Sequence, residues 1–250
     1  MKIMKKIVAI LSVFLCIPIT AMAAEGNWGL GYGAEGEKPT GNTSAEELAQ
    51  NNAYFVDPTD EKVIYLTFDA GYENGNTDQI LDVLKETDVP AAFFVVGTYI
   101  RDHQDLIKRM ADEGHIVGNH SMSHPDMTKK DRASFTKELS DTADLYKQVV
   151  GEDMPMYYRP PQGKYSKENL ELAKELGYTT VFWSLAYVDW NVDDQPTKEQ
   201  AFSKLIPRVH PGTILLLHST SDTNANILKE LIEEYQSMGY TFKSLDQLGN

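Results

Sequence analysis

From residue 62 onward, short unbroken apolar runs alternate with stretches whose hydrophobic residues recur every three or four positions. The runs at 63–68, 91–96, 115–118, 157–159, 179–184, 213–218 and 240–242 have the length of buried strands, and most are rich in β-branched or aromatic residues. Between them the helical period takes over. Residues 77–85 place Ile80, Leu81 and Leu84 on one face, and 105–113 do the same with Leu106, Ile107 and Met110 before Gly114 ends the run. Further helices are expected at 131–150, 166–176, 197–208 and 226–238, with Ser166 as an N-cap and Gly177 as a stop. Strands separated by helices return to the same end of a sheet and run parallel. The pattern therefore predicts an α/β fold, a distorted, roughly seven-stranded (β/α) barrel with parallel strands.

The pattern divides the chain into a signal peptide (1–23), an N-terminal arm (24–59) and the barrel domain (60–250). Lys2, Lys5 and Lys6 precede an apolar run at 7–17, and Ala21, Met22 and Ala23 supply a small-residue cleavage site, the layout of a secretory signal. An uncleaved anchor is the alternative. The run is short for a bilayer, and Pro18 ends it. The arm is rich in Gly, Asn, Glu and Ala, with one short helix expected at 44–51 and with Trp28 and Tyr32 as the residues able to fasten it to the barrel.

Composition narrows the partners. The 250 residues carry a net charge of −14, and loss of the signal segment with its three lysines takes this to −17. Such a surface excludes nucleic acid, whose binding needs clustered cations. An anionic substrate has to be held by local groups in a groove. The single cysteine, Cys16, lies in the signal segment, so the mature chain has no thiol, disulfide or cysteine metal ligand.

Reactive side chains gather at the carboxyl ends of the expected strands: Asp69, His120, Arg159 and His218, with Asp189 in a loop after a fifth. That rim is where barrel enzymes keep their chemistry. Each residue also has a plain structural reading. Asp69 suits a turn or N-cap, and Arg159, fixed by Pro160 and Pro161, suits a salt bridge as well as a bidentate clamp on a carboxylate such as Asp69. His120 and His124 are four apart, so a helical turn would aim both rings at one metal ion, although H-x-x-x-H is a weak signal alone. His218 ends an apolar strand, where an imidazole can act as general acid, and Asp189 is placed to orient it. Trp190 suits a groove wall against a sugar face and Trp183 the core. His103, His115 and His210 read as structural.

Five segments in order, TFDAG (67–71), HSMSH (120–124), RPPQG (159–163), Asp189-Trp190 and LLHS (216–219), resemble the polysaccharide deacetylases of carbohydrate esterase family four, which share the Nod-factor deacetylase homology domain. The resemblance spans about 60–248. It is closest to the spore-cortex muramic acid de-N-acetylases that lead to δ-lactam, through YENGNT (72–77), HIVGNHSMSH (115–124), FWSLAYVDW (182–190) and GYTFKSLDQL (239–248). The resemblance implies a secreted hydrolase that converts N-acetylmuramic acid in peptidoglycan to free amine and acetate. Its partner would be a glycan strand lacking peptide stems, and its location the cell wall or spore envelope. Asp69 would be the general base, His120 and His124 ligands of a divalent metal ion (zinc, cobalt or nickel), and Arg159 the group orienting Asp69. The Gln162 backbone N–H would hold the oxyanion, and His218 would be the acid tuned by Asp189.

Two departures from the family pattern stand out. Ala70 replaces the carboxylate that usually follows the base and completes the metal triad; Glu73 or Asn74 is the nearest residue that could compensate. Gln162 stands where many relatives have Tyr. The rival readings are deacetylation of N-acetylglucosamine polymers or acetylxylan, and a catalytically silent wall-binding protein.

Overall fold

The computed structural model describes residues 26–249. The expected signal segment and Cys16 lie outside the described residues. In chain order, three two-residue strands, β1 (Gly26–Asn27), β2 (Leu30–Gly31) and β3 (Thr40–Gly41), precede helix α1 (Ala45–Gln50) and strand β4 (Ala53–Tyr54). Then come β5 (Val63–Ala70), α2 (Thr77–Thr87), β6 (Ala91–Val95), α3 (Gly97–Asp102), α4 (Gln104–Asp112), β7 (Ile116–Asn119) and α5 (Arg132–Val150). The chain continues with β8 (Tyr157–Tyr158), β9 (Lys164–Tyr165), α6 (Lys167–Glu175), β10 (Thr179–Val181), α7 (Lys198–Leu205), β11 (Thr213–His218), α8 (Asp222–Ser237) and β12 (Thr241–Phe242).

The main sheet runs β11-β5-β6-β7-β8-β10-β4, with β12 also on β5, and every pairing in it is parallel. It curls until Leu185, beyond β10, bridges Leu215 of β11. This is the distorted barrel that the alternating pattern predicts. Strand alternation gives β5 two kinds of surroundings. Ile64, Leu66, Phe68 and Ala70 join the cluster that includes Ile80, Leu81 and Leu84 of α2 and Leu228, Leu231 and Ile232 of α8. Val63 and Tyr65 pack inside the barrel with Ala92, Phe94, Val181 and Ile214, and Asp69 follows on that same inner face.

Several boundaries differ from expectation for local reasons. Helix α8 starts a turn early because the Ser221 hydroxyl accepts the Asn224 N–H. Helix α7 opens on a reciprocal capping box between Thr197 and Gln200 and stops at Leu205. Helix α3, which carries no amphipathic repeat in its six residues, was not expected. Residues 26–59 lie along the barrel and contribute β4 to its sheet. The Trp28 indole stacks on Phe182, 4.7 Å between ring centres, and donates to the Trp183 carbonyl at 3.0 Å. Tyr32 covers the Arg208 guanidinium at 4.3 Å.

Ser184 and His210 pin the seam. The Ile214 N–H donates to the Ser184 hydroxyl at 3.0 Å, and His210 Nε2 lies 2.9 Å from the same oxygen. His210 Nδ1 donates to the Arg208 carbonyl at 2.8 Å, which leaves Nε2 bare to accept from Ser184. Burial pushes the His210 imidazole down to about 4. The unfolded chain then binds this proton near pH 6.5 while the folded chain refuses it until about pH 4. Stability held above the unfolded value is therefore lost as pH falls through that window, by roughly 3 kcal/mol from this residue. Urea unfolding followed from pH 7 to pH 4 is expected to show this loss, and His210→Gln to flatten it; an unchanged slope in the variant would refute the assignment.

Candidate active site

Asp69 and His218 are register partners on adjacent parallel strands, so both side chains point to the barrel interior at the same level. Asp69 is the penultimate residue of β5, at the carboxyl end of the strand where the sequence pattern places it. Burial raises the Asp69 carboxyl, but the charges of His120, Arg159 and His218 and the Arg159 hydrogen bond outweigh it and leave it below the ordinary carboxylate value. His218 goes the other way. Burial lowers its imidazole, and the Asp189 hydrogen bond and charge, with the Asp69 charge, more than offset this and raise it.

Asp189 is buried and holds His218 twice. Its Oδ1 accepts from Nδ1 at 2.7 Å and its Oδ2 from the His218 backbone N–H at 2.9 Å. With Nδ1 so engaged, Nε2 is the ring nitrogen left for other work. Asn224, which sequence reasoning missed, donates to Asp189 Oδ2 at 2.6 Å and to the His218 carbonyl at 3.1 Å. Its position in the first turn of α8 carries no motif that would have singled it out.

Arg159 is fully buried and makes four hydrogen bonds. Nε donates to the Val181 carbonyl at 2.9 Å, one terminal nitrogen to Asp69 Oδ1 at 2.9 Å, and the other to Thr67 Oγ1 at 2.9 Å and the Phe182 carbonyl at 3.1 Å. The bidentate clamp on Asp69 is thus corrected to a single bond, because the second arm serves Thr67 and Phe182. The Phe94 ring lies 4.1 Å beneath the guanidinium. Gly118 leaves room for that ring, since a Cβ there would come within 2.8 Å of it.

His120 and His124 are brought together without the expected helical turn. Residues 120–124 form a loop in which Ser121 and His124 take positive φ values of 68° and 56°, yet the ring centres stand 4.9 Å apart. His120 Nδ1 donates to the Arg159 carbonyl at 2.8 Å, and burial pushes the ring down to about 4, so it is neutral near pH 7. Its bare Nε2 lies 3.5 Å from Asp69 Oδ2. Two electron-pair donors facing each other beside a second imidazole suit a cation, and the carbonyl fixes the ligating tautomer. No group of three or more His, Cys, Asp or Glu around one such point occurs among the described residues.

Neither suggested substitute for the usual third ligand is available. Glu73 accepts from Tyr99, Thr77 and the Gly75 N–H, and Asn74 donates to the Thr220 carbonyl. Ala70 packs in the helix-facing core.

These groups open into a cleft of about 1410 Å³, large enough for several sugar units. Gln162, in the left-handed region at φ 60°, lines it, as does Trp190, which is 52% exposed and edge-on to His218. Trp183, expected in the core, is half-buried and also lines the cleft. The exposed Tyr72 was not anticipated as part of the wall.

Comparison with known proteins decides the family. The family model described as polysaccharide deacetylase matches residues 56–181. The peptidoglycan-N-acetylmuramic acid deacetylase PdaA of Bacillus subtilis is 44% identical over 223 residues, 89% of this chain and 85% of that one. The chain belongs to the polysaccharide deacetylase family. It is accordingly a hydrolase of non-peptide carbon–nitrogen bonds that acts on a glycan. A solved structure of Bacillus subtilis PdaA, described as a family 4 carbohydrate esterase, aligns with a TM-score of 0.85 at 43% identity, covering 89% of this chain and 95% of that one. A Rhizobium leguminosarum chitooligosaccharide deacetylase is 33% identical over 76% of this chain and 93% of its own length.

In this deacetylase the raised His218 value rests on Asp189. Asp189→Asn removes the charge while preserving shape, so the alkaline limb of the kcat pH profile is expected to move to lower pH. An unmoved limb would show that His218 is not the group titrating there.

Proposed function

We propose that the chain removes the acetyl group of N-acetylmuramic acid in peptidoglycan. The observation carrying this reading is the register-paired Asp69 and His218, shifted in opposite directions at the floor of one long cleft. Asp69, ionised near neutral pH, takes a proton from water as the water oxygen bonds to the acetamido carbon. The Gln162 backbone N–H donates to the oxyanion that forms. His218, kept protonated by Asp189, gives its proton to the nitrogen as the carbon–nitrogen bond breaks, releasing acetate and a free amine. Arg159 holds Asp69 in place and Trp190 offers its face to a sugar ring. A divalent cation (zinc, cobalt or nickel) on His120 and His124, when bound, supplies Lewis-acid polarisation of the amide carbonyl.

The choice of muramic acid rests on the 44% identity to PdaA, set beside 33% for the chitooligosaccharide enzyme. The product amine, next to the lactyl carboxyl, can close to the δ-lactam with loss of water where no peptide stem occupies that carboxyl, as in spore cortex. Secretion to the wall or spore envelope is part of the same reading, supported by the N-terminal pattern of lysines, apolar run and small residues.

Acetate release from peptide-free glycan, with mass spectrometry of the sugars, tests the proposal. Wild type is expected to yield deacetylated or lactam muramic acid. Asp69→Asn is expected to lose about a hundredfold or more in kcat, and chelator to reduce the rate. Release from chitooligosaccharides with intact N-acetylmuramic acid would overturn the substrate assignment.

A further inference from the structure

The cleft continues beyond the catalytic groups to Lys204 and Arg208, which both line it. Acids outnumber bases 37 to 23 in this chain, and lysines and arginines elsewhere commonly pair with a carboxylate, as Lys198 does with Glu230 and Lys229 with Glu86. Lys204 and Arg208 belong to none of the ion pairs among the described residues. Asp194 lines the same cleft yet is paired with neither.

Arg208 is held as a built element. Its guanidinium lies on the Tyr32 ring at 4.3 Å, its carbonyl accepts from His210 Nδ1 at 2.8 Å, and the neighbouring Pro207 carbonyl accepts from the Gly36 N–H at 3.0 Å. The N-terminal segment thus grips this part of the chain on one side and the barrel seam on the other. Lys204, the penultimate residue of α7, lies four residues before Arg208 and is exposed, with its charge unshared.

We infer that Lys204 and Arg208 form an anion subsite for a carboxylate carried by the glycan, namely the lactyl carboxylate of a muramic acid residue. The inference rests on the muramic acid reading. An acidic protein repels a carboxylated polymer, and two unpaired cations inside the cleft reverse that sign where the polymer lies. The guanidinium lies over the Tyr32 ring, and apart from its contact with the Tyr32 hydroxyl its N–H groups are available to carboxylate oxygens. N-Acetylglucosamine has no charge to offer this subsite.

The test compares peptide-free glycan strands with the same strands after reduction of the lactyl carboxyls to alcohols. Wild type is expected to show a KM about tenfold lower for the carboxylated strands, an advantage eroded by about 0.5 M salt. In Lys204→Gln/Arg208→Gln the ratio of the two KM values is expected to collapse to about one, and in Arg208→Lys alone to fall to an intermediate value, since the ammonium keeps the charge and loses the fork. A double variant that keeps the wild-type ratio overturns the subsite. Disaccharides with one muramic acid, set beside tetrasaccharides with two, locate the carboxylate. Preference already present in the disaccharide assigns it to the reacting sugar, and preference confined to the tetrasaccharide assigns it to a neighbour.

Calorimetric binding to Asp69→Asn needs no turnover and separates the two proposals. Tighter binding of carboxylated tetrasaccharide without muramic acid deacetylation by wild type would sink the substrate reading and keep the subsite. Deacetylation with equal binding of both ligands would do the reverse.

Discussion

The guanidinium of Arg159 is the group on which the architecture turns. It sits without solvent contact inside the barrel, between Thr67 and Asp69 of β5 and the carbonyls of Val181 and Phe182 at the end of β10. Its own carbonyl fixes the His120 ring. A buried cation is tolerated because four of its five N–H donors are met and Phe94 lies beneath it; removing the Asp69 partner from such a pair would leave an uncompensated charge costing about 3–5 kcal/mol. One residue thus joins opposite staves of the barrel and anchors the carboxylate through its side chain, and sets the tautomer of a neighbouring imidazole through its carbonyl.

The sequence made the barrel legible because β5, β6 and β11 are apolar on both faces and the helices between them keep a clear period. The short strands were harder. Ala53–Tyr54, unlike the expected strand at 157–159, was missed, because it belongs to the sheet through backbone bonds made far along the chain and two residues show no period. The candidate site was legible where a single ionisable side chain at a strand end marks it, as at Asp69, His120 and His218. It was not legible where the partner is a carbonyl or an amide without a motif, as with the second arm of Arg159 or with Asn224.

Ala70 shows how sequence and structure answer different questions. The sequence says only that a usual ligand is missing. The structure adds that this position faces the helix layer with Phe68 and Leu66, and that Glu73 is already spent on Thr77, Tyr99 and Gly75. The electron pairs facing a common point therefore come from His120 and Asp69, with the His124 ring alongside.

The ladder between β5 and β11 has a consequence for how such a protein can change over generations. Six successive residue pairs lock Thr213–His218 against 64–69, so the gap between carboxylate and imidazole is a property of the sheet spacing itself. The walls contributed by the arm, by Trp190 and by the chain around α7 hang outside that ladder. Replacements in those walls can reshape the cleft while Asp69 and His218 keep their span, so the fit to a carbohydrate and the spacing of this pair can be inherited separately.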